Sequence, residues 1–244
     1  MRLLIDAGNS RLKWRLDETG GVIAQGLGGI EDADPLSGLP VDAVNISRIA
    51  VSTVASEEKR LRLLQSLSSR VSAPIRCYWS EACRNGLASA YRDYQQMGAD
   101  RWHAMYGAWL DYKQGFIVVD AGSAITVDYV GSSGQHLGGF ILPGLHMMRR
   151  SLQVDAARID FDPSHVSDRS PGKSTSECVN HGLAWLSSAL IDRVHSDSYA
   201  AGVRDILITG GDAERLLSLG LKATFCPSLV LDGLAAIDAQ VYAG

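Results

Sequence analysis

The stretch Leu4-Ile5-Asp6-Ala7-Gly8-Asn9-Ser10 decides the fold, because it recurs as Val118-Val119-Asp120-Ala121-Gly122-Ser123-Ala124. Each copy is an aliphatic run that ends in aspartate and continues into a small residue, a glycine and small polar residues. A second apolar run follows each copy, at 12–16 and at 125–130. This pattern is typical of a β-hairpin whose tight turn carries an acid and a glycine.

The spacing of the two copies predicts a duplicated architecture. Asp6 and Asp120 lie 114 residues apart, close to half of the 244-residue chain. A chain of this length accommodates two domains of about 100–150 residues each. We therefore predict two related lobes that face each other across a nucleotide cleft, an N-terminal lobe of residues 1–112 and a C-terminal lobe of residues 113–244.

Strand and helix signals alternate along the rest of the chain. Two β-branched or aliphatic runs, 48–54 and 204–209, predict strands. Helices are predicted after the capping residue Ser56, from Asp100, and from the capping box that begins at Ser174. The helix after Ser56 is expected to bury Leu61, Leu64 and Leu67. Such alternation indicates an α/β protein with mostly parallel sheets covered by helices.

Composition narrows the class of protein further. Hydrophobic residues make up 46% of the chain and the net charge is −4, so a broad basic surface for nucleic acid is not expected. The chain contains no apolar run of about 18 residues, and Asp6 interrupts what would be the apolar part of a signal peptide. The four cysteines have no CxxC spacing and are expected to be reduced thiols. A cytoplasmic globular protein without nucleic-acid or membrane partners is predicted.

The first hairpin carries the strongest local signal for a ligand. Gly8 permits a tight turn, and backbone N–H groups around Asn9 and Ser10 could bind phosphate oxygens. Lys13 on the returning strand could add a positive charge, and Asp6 could hold a hydrated Mg²⁺. A plain hairpin turn is the alternative. The second copy of the motif favours a nucleotide site.

The second hairpin is predicted to supply an opposing phosphate loop, with the Ser123 hydroxyl as a donor and Asp120 as its acid. A structural duplication without function is the alternative. The segment Thr209-Gly210-Gly211 ends a predicted strand, where its glycines could admit an adenosine or form an ordinary turn, and both interpretations stay open.

The segment Gly98-Ala99-Asp100-Arg101 has two interpretations. A carboxylate beside an arginine at a helix N-terminus can be a helix cap with a solvated neighbour. In the functional interpretation, Asp100 accepts a proton from an attacking hydroxyl and Arg101 binds a charged substrate group or developing phosphate charge.

In order and type, these motifs make the chain resemble the type III pantothenate kinases of the acetate and sugar kinase, heat-shock chaperone and actin superfamily. The matching segments run along most of the chain: D-x-G-N-T-x-x-K at 6–13, G-x-D-R at 98–101, D-x-G-T-A at 120–124, G-G-x-I-x-P-G at 138–144, Ser174-Thr175 and Thr209-Gly210-Gly211. Ser10 and Ser123 stand where the family usually has threonine. Both keep the hydroxyl and lose one methyl group. The resemblance implies an actin-like ATPase (ribonuclease H-like) fold.

The resemblance also implies the reaction, which is ATP-dependent phosphorylation of pantothenate to 4′-phosphopantothenate, the first step of coenzyme A biosynthesis. It assigns Asp100 as the general base and implies Mg²⁺ with ATP, which Asp6 would hold through water. A monovalent cation, K⁺ or NH₄⁺, would lie at Asp120. The predicted ATP contacts are Asp6, Ala7, Gly8, Asn9, Ser10, Arg11, Leu12, Lys13 and Ser123. The predicted pantothenate contacts are Tyr91, Gly98, Ala99, Asp100, Arg101 and Thr175.

The family implies a homodimer with the substrate site close to the subunit interface. Two other functions stay open on the sequence. One is a kinase of the same superfamily acting on another small hydroxylated acid, and the other is an ATP-binding regulatory accessory protein. The segment Gly98 to Arg101 favours an enzyme, since a sensor has no need of a general base.

Overall fold

The computed structural model describes residues 1–32, 34–40, 45–156, 159–163 and 168–243. It divides into two compact units. The first unit comprises Met1–Lys113, Ser133–His136 and Ser228–Gly244, and the second comprises Gln114–Ser132 and Leu137–Pro227.

Strands and helices follow one another along the chain in the alternation that the sequence predicts. In chain order they are β1 (Arg2–Ala7), β2 (Arg11–Glu18), β3 (Gly21–Gly29), β4 (Arg48–Thr53), α1 (Glu57–Arg70), β5 (Ile75–Tyr78), β6 (Cys83–Arg84), β7 (Leu87–Ala88), α2 (Ala99–Asp111), β8 (Phe116–Ala121), β9 (Ala124–Val130), β10 (His136–Pro143), α3 (Leu145–Asp155), α4 (Thr175–Ala201), β11 (Asp205–Thr209), α5 (Ala213–Ser218), β12 (Thr224–Phe225) and α6 (Leu229–Ala243). The predicted strands at 48–54 and 204–209 and the three predicted helices are confirmed, with ends that differ by one residue at most positions.

The two units repeat one sheet topology. The first sheet has the order β3-β2-β1-β4-β5 and the second has the order β10-β9-β8-β11-β12. In both sheets the strand that carries the motif aspartate lies in the centre. It pairs antiparallel with the returning arm of its hairpin and parallel with the strand that follows a longer connection. The duplication predicted from the repeat is therefore confirmed at the level of topology.

Both sheets are mixed, whereas mostly parallel sheets were expected. Short turns join β1 to β2 and β2 to β3, and a short turn can connect only antiparallel neighbours. The parallel pairs β1–β4 and β4–β5 lie on the other side of β1, and α1 provides the crossover from β4 to β5. In each sheet, the central strand therefore has an antiparallel neighbour from its own hairpin on one side and a parallel neighbour on the other.

Helix α1 buries Leu67 and partly buries Leu64, as expected, but it leaves Leu61 outside the core. Ser56 caps it as predicted, since its side chain accepts from the N–H of Lys59. Leu63 and Leu67 are buried, whereas Leu61 is 51% exposed. The predicted stripe took every third residue and so drifted off the 3.6-residue period of the helix.

Helix α6 belongs to the first unit, although it follows the second unit along the chain. Two glycines allow α6 to approach α2 closely: a Cβ on Gly233 would lie 1.9 Å from the carbonyl oxygen of His103, and one on Gly107 would lie 2.5 Å from that of Leu229. Asp238 of α6 is 1% exposed and accepts hydrogen bonds from Arg48 and Tyr78. The boundary at 112/113 predicted from the repeat left α6 in the second lobe.

Among the described residues, no helix combines the length and the apolar character that a membrane span requires. All four cysteines lie in the described part of the chain, and none of them forms a disulfide.

Candidate active site

The first hairpin turn places its polar residues at the carboxyl end of β1. In the strand register, Asp6 lies opposite Lys13 of β2 on one side and opposite Ser52 of β4 on the other. The N–H of Gly8 donates to the carbonyl oxygen of Arg11 at 3.0 Å and closes the turn. Asn9, Ser10 and Arg11 are exposed at its tip. The turn therefore presents both backbone and side-chain donors to solvent, as a phosphate-binding loop requires.

Two of the predicted ATP contacts have buried side chains. Ala7 and Leu12 face each other across the hairpin, and both are 0% exposed. Their side chains belong to the core beneath the turn, so only their backbone groups are available for a nucleotide.

A lysine of α1 holds this turn, a contact that was not predicted from the sequence. Lys59 Nζ donates to the carbonyl oxygen of Asn9 at 3.0 Å and pairs with Glu31 Oε1 at 2.9 Å. The hydrogen bond from Lys59 lowers the pKa of the Glu31 carboxyl. The lysine lies 50 residues from Asn9, and no local pattern predicts that contact.

The segment Gly98 to Arg101 lies at the start of α2, close to the turn of the first hairpin. Gly98 is the N-cap of the helix, and Asp100 lies in its first turn. Val54 links the two regions, because its N–H donates to the carbonyl oxygen of Ala7 at 3.2 Å. Its Cγ1 would lie 3.4 Å from a Cβ built on Gly98. The structure thus brings the first hairpin and the segment Gly98 to Arg101 against one residue.

Asp100 is half-buried, and its carboxylate is fixed by neighbouring backbone. Its Oδ1 accepts from the N–H of Arg101 at 2.7 Å. A Cβ on Gly98 would lie only 2.5 Å from the same oxygen, so glycine leaves the space that the carboxylate occupies. The N-terminus of α2 places the partial positive charge of its backbone N–H groups beside this carboxylate.

Arg101 and Tyr91 come together although ten residues separate them. Arg101 is 5% exposed, and its Nη1 donates to the Tyr91 hydroxyl at 2.7 Å. The N–H of Tyr91 in turn donates to Ser89 Oγ at 3.2 Å. A guanidinium held in a fixed orientation suits the recognition of a carboxylate.

The second unit places its own acid at the equivalent strand end. Asp120 lies at the end of β8 beside Thr209 of β11. The carbonyl oxygen of Ser123 accepts from the N–H of Gly144 at 3.0 Å. Gly210, at φ +97°, passes so close that a Cβ there would lie 2.5 Å from Asp120 Oδ1. The motifs at 120–124, 138–144 and 209–211 therefore meet at one end of this sheet.

Thr175 is the first residue of α4 and is exposed. It lines an open groove of about 870 Å³ whose walls are mainly apolar, with Leu152, Trp185 and Leu186 among them. Ser174 caps the helix as predicted by accepting from the N–H of Glu177 at 3.2 Å.

The acids of these two loops suit a metal that is bound together with a nucleotide. In the part of the chain that the structure describes, no three His, Cys, Asp or Glu side chains cluster as a metal site. Mg²⁺ in phosphate-transferring proteins is held by one or two carboxylates, with phosphate oxygens and water as its other ligands. Single carboxylates such as Asp6 and Asp120 at strand ends fit that kind of site.

Comparison with known proteins decides the family. A sequence model of the type III pantothenate kinases matches residues 2–197. The chain belongs to the type III pantothenate kinase family. A family member from Marinobacter nauticus is 56% identical over 237 residues, which cover 97% of this chain and 98% of that protein. Another from Ectopseudomonas mendocina is 34% identical and covers 96% of this chain and 98% of that protein.

Solved structures of the same fold are more distant from this type III pantothenate kinase. A Campylobacter jejuni protein provisionally named a Baf family transcriptional activator superposes with a TM-score of 0.60 at 21% identity, covering 99% of this chain and 100% of that one. An activator of 2-hydroxyisocaproyl-CoA dehydratase from Clostridium difficile, solved with bound ADPNP, gives 0.53 at 12% identity, covering 99% and 96%. These likenesses concern the fold alone. Together with the repeated sheet topology, they confirm the predicted α/β fold of two related lobes.

Proposed function

We propose that this chain transfers the γ-phosphoryl group of ATP to the primary hydroxyl of pantothenate, the first step of coenzyme A biosynthesis. Its membership of the type III pantothenate kinase family carries this conclusion. The chemistry is a displacement at phosphorus. The pantothenate oxygen forms a bond to the γ-phosphorus as the bond to the bridging oxygen of ADP breaks.

The two hairpin loops act on the nucleotide. Backbone N–H groups at Asn9 and Ser10, with the charge of Lys13, bind phosphate oxygens of ATP, and the Ser123 hydroxyl does so in the second unit. Lys59 keeps the first turn in place through the Asn9 carbonyl oxygen. A divalent metal bound with ATP neutralises phosphate charge, and Asp6 is the residue that would hold it through water. Catalysis of this kind depends on positioning and electrostatics more than on covalent chemistry.

Asp100 acts as the general base. Its carboxylate accepts the hydroxyl proton as the new bond to phosphorus forms, and its bond from the Arg101 N–H fixes the direction from which it does so. Arg101 and Tyr91 bind the pantothenate carboxylate, and the close backbone of Gly98 and Ala99 completes the acceptor site. Thr175 contributes to this site from α4.

Three finer features belong to the same proposal. Asp120 is the residue that would hold a monovalent cation, K⁺ or NH₄⁺, which would supply further positive charge. The enzyme is a homodimer, with the acceptor site close to the subunit interface. The reaction takes place in the cytoplasm.

The test is ADP release by the purified protein with ATP, Mg²⁺ and K⁺, with and without pantothenate. ADP that depends on pantothenate, together with a product one phosphoryl group heavier, is expected. ATP binding without such turnover would point to another acceptor or to a regulatory protein. A panel of small hydroxy acids in the same assay separates those two outcomes.

Asp100→Asn tests the assigned base. We expect kcat to fall by about 10²- to 10⁴-fold, the usual contribution of a general base, with ATP binding nearly unchanged. Asp111→Asn is the matched control, because Asp111 is an exposed aspartate at the other end of the same helix. An unimpaired kcat, or an equal loss of ATP affinity, would remove Asp100 from this role.

A further inference from the structure

A buried histidine lies against the ring of Tyr91 in the first unit. His136 is 1% exposed. Its ring lies at 16° to the Tyr91 ring with the centroids 6.3 Å apart, which is the geometry of an offset stack. Its Nδ1 accepts from the N–H of Ala90 at 3.4 Å, one residue before the tyrosine. The histidine therefore contacts the ring of Tyr91 and the backbone N–H of the residue before it.

The segment that carries His136 is held firmly in the first unit. The carbonyl oxygen of Gly134 accepts from the N–H of Ala88 at 3.0 Å, and Gln135 forms a β-bridge with Ala88. Gly134 has φ +80°, and a Cβ there would lie 2.0 Å from the carbonyl oxygen of Gly86. No side chain fits at that position. This tight contact fixes where the next residues, including His136, must lie.

Tyr91 passes this constraint on to Arg101. Its hydroxyl accepts from Arg101 Nη1 at 2.7 Å, and Arg101 is almost fully buried. A tyrosine side chain has two rotatable bonds, so a stacked neighbour on one face removes much of its freedom. The three side chains form a series of contacts from the His136 ring to the Tyr91 ring and from the Tyr91 hydroxyl to the guanidinium.

We propose that His136 is a positioning residue for the acceptor site, acting through Tyr91 and Arg101 on the carboxylate end of the substrate. This inference rests on the proposed function, since it names pantothenate as the molecule that these two residues bind. The proposed role involves no contact between His136 and ATP or the transferred phosphoryl group. Its loss should weaken acceptor binding and leave the chemistry of the phosphates unchanged.

His136→Ala removes the stacking ring. An aromatic pair of this kind contributes about 0.5–1.5 kcal/mol, which corresponds to about a 2- to 12-fold rise in KM for pantothenate. The KM for ATP and kcat at saturating pantothenate should change less than twofold. A purely structural role would instead lower the amount of active enzyme, reducing kcat without altering either KM.

His136→Phe separates the ring from the hydrogen bond. Phenylalanine can stack on Tyr91 but cannot accept from Ala90, which is exposed and can bond to water instead. We expect this variant to return the KM for pantothenate to within about twofold of wild type. His195→Ala is the matched control: the ring Nε2 of His195 also accepts from a backbone N–H, that of Lys222 at 3.0 Å. That histidine lies on α4 of the second unit, and its loss should leave both KM values unchanged.

Steady-state kinetics with varied pantothenate and thermal unfolding of each variant decide the matter. An unchanged KM for pantothenate in His136→Ala, with wild-type turnover normal, overturns this inference alone. If His136→Ala does not fold, His136→Phe decides: a wild-type KM supports stacking, and a raised KM overturns it. Absence of pantothenate phosphorylation by the wild type would overturn the proposed function and this inference with it.

Discussion

The space at Gly98 offers a test of Asp100 that leaves its carboxylate in the protein. A methyl group at position 98 would lie 2.5 Å from Asp100 Oδ1, well inside van der Waals contact. The backbone at Gly98 has φ −58° and ψ 132°, which alanine adopts without strain. The other neighbour, Val54 Cγ1, would lie at a tolerable 3.4 Å. In Gly98→Ala, the Asp100 side chain is therefore the group that has to move.

The expected loss of activity is much larger than the expected loss of stability. A displacement of about 1 Å in a catalytic group costs roughly 10²-fold in rate. Alanine is a poorer N-cap than glycine, which costs at most about 1 kcal/mol, and restriction of the unfolded chain returns about 0.4–1 kcal/mol. For a chain of this size, a net change below about 1 kcal/mol shifts Tm by no more than about 2–4 °C. Gly98→Ala should therefore fold normally and turn over slowly.

The assay is pantothenate-dependent ADP release alongside thermal unfolding, with Gly20→Ala as the control. Gly20 has no atom within 4 Å of an added Cβ and lies in the turn between β2 and β3. Gly98→Ala should keep its affinity for ATP and lose about two orders of magnitude in kcat. Wild-type turnover in this variant would refute the assignment of Asp100. A drop in Tm of 10 °C or more would refute the argument that only one side chain moves.

Three further predictions concern stability, the nucleotide and pH. Asp238→Ala removes the buried acceptor of Arg48 and Tyr78 and should lower the free energy of unfolding in urea by about 3 kcal/mol, the low end for a broken buried ion pair, because Arg48 is 24% exposed. An unchanged midpoint of urea unfolding would contradict this prediction. Lys13→Met should raise the KM for ATP about 10- to 100-fold, because a charge-assisted bond to phosphate is lost, and should leave the KM for pantothenate unchanged. Equal rises in the two KM values would show a general disruption of the site instead. Burial lowers the pKa of His103 to about 3 from 6.5, so as pH falls the unfolded chain takes up this proton before the folded chain does, and the protein loses stability below about pH 6.5. Between pH 7 and 5 the free energy of unfolding of the wild type should fall by about 2 kcal/mol more than that of His103→Gln. Equal losses in the two proteins would contradict this prediction.

The parts of the site that sequence predicts are those built from neighbouring residues. The acid and the glycine of each hairpin predict a turn. A backbone hydrogen bond closes each turn, from Gly8 N–H to the Arg11 carbonyl oxygen in the first and from Gly122 N–H to the Ala124 carbonyl oxygen in the second. Repetition of one local pattern was enough to predict two similar units. The sheet order follows once each hairpin and each crossover are in place.

Residues that join distant segments were beyond such reasoning. Lys59 reaches the Asn9 carbonyl oxygen from α1, and His136 stacks on Tyr91 from the start of β10, 45 residues away. Nothing in the composition of α6 says which sheet it covers. That choice depends on Gly107 and Gly233, which let α2 and α6 touch, and on the buried acceptor Asp238. Each of these contacts exists only after the chain has folded.

The proposed phosphate loops and the proposed acceptor site are therefore stabilised in different ways. Each loop is a turn closed by a backbone hydrogen bond between near neighbours, to which Lys59 and Gly144 add single contacts from other segments. Tyr91 and Arg101, by contrast, depend on packing between residues 86–91 and the segment 133–136. A kinase of this fold with a different acceptor should consequently differ from this chain in those two segments first, while its hairpins keep their acid and glycine.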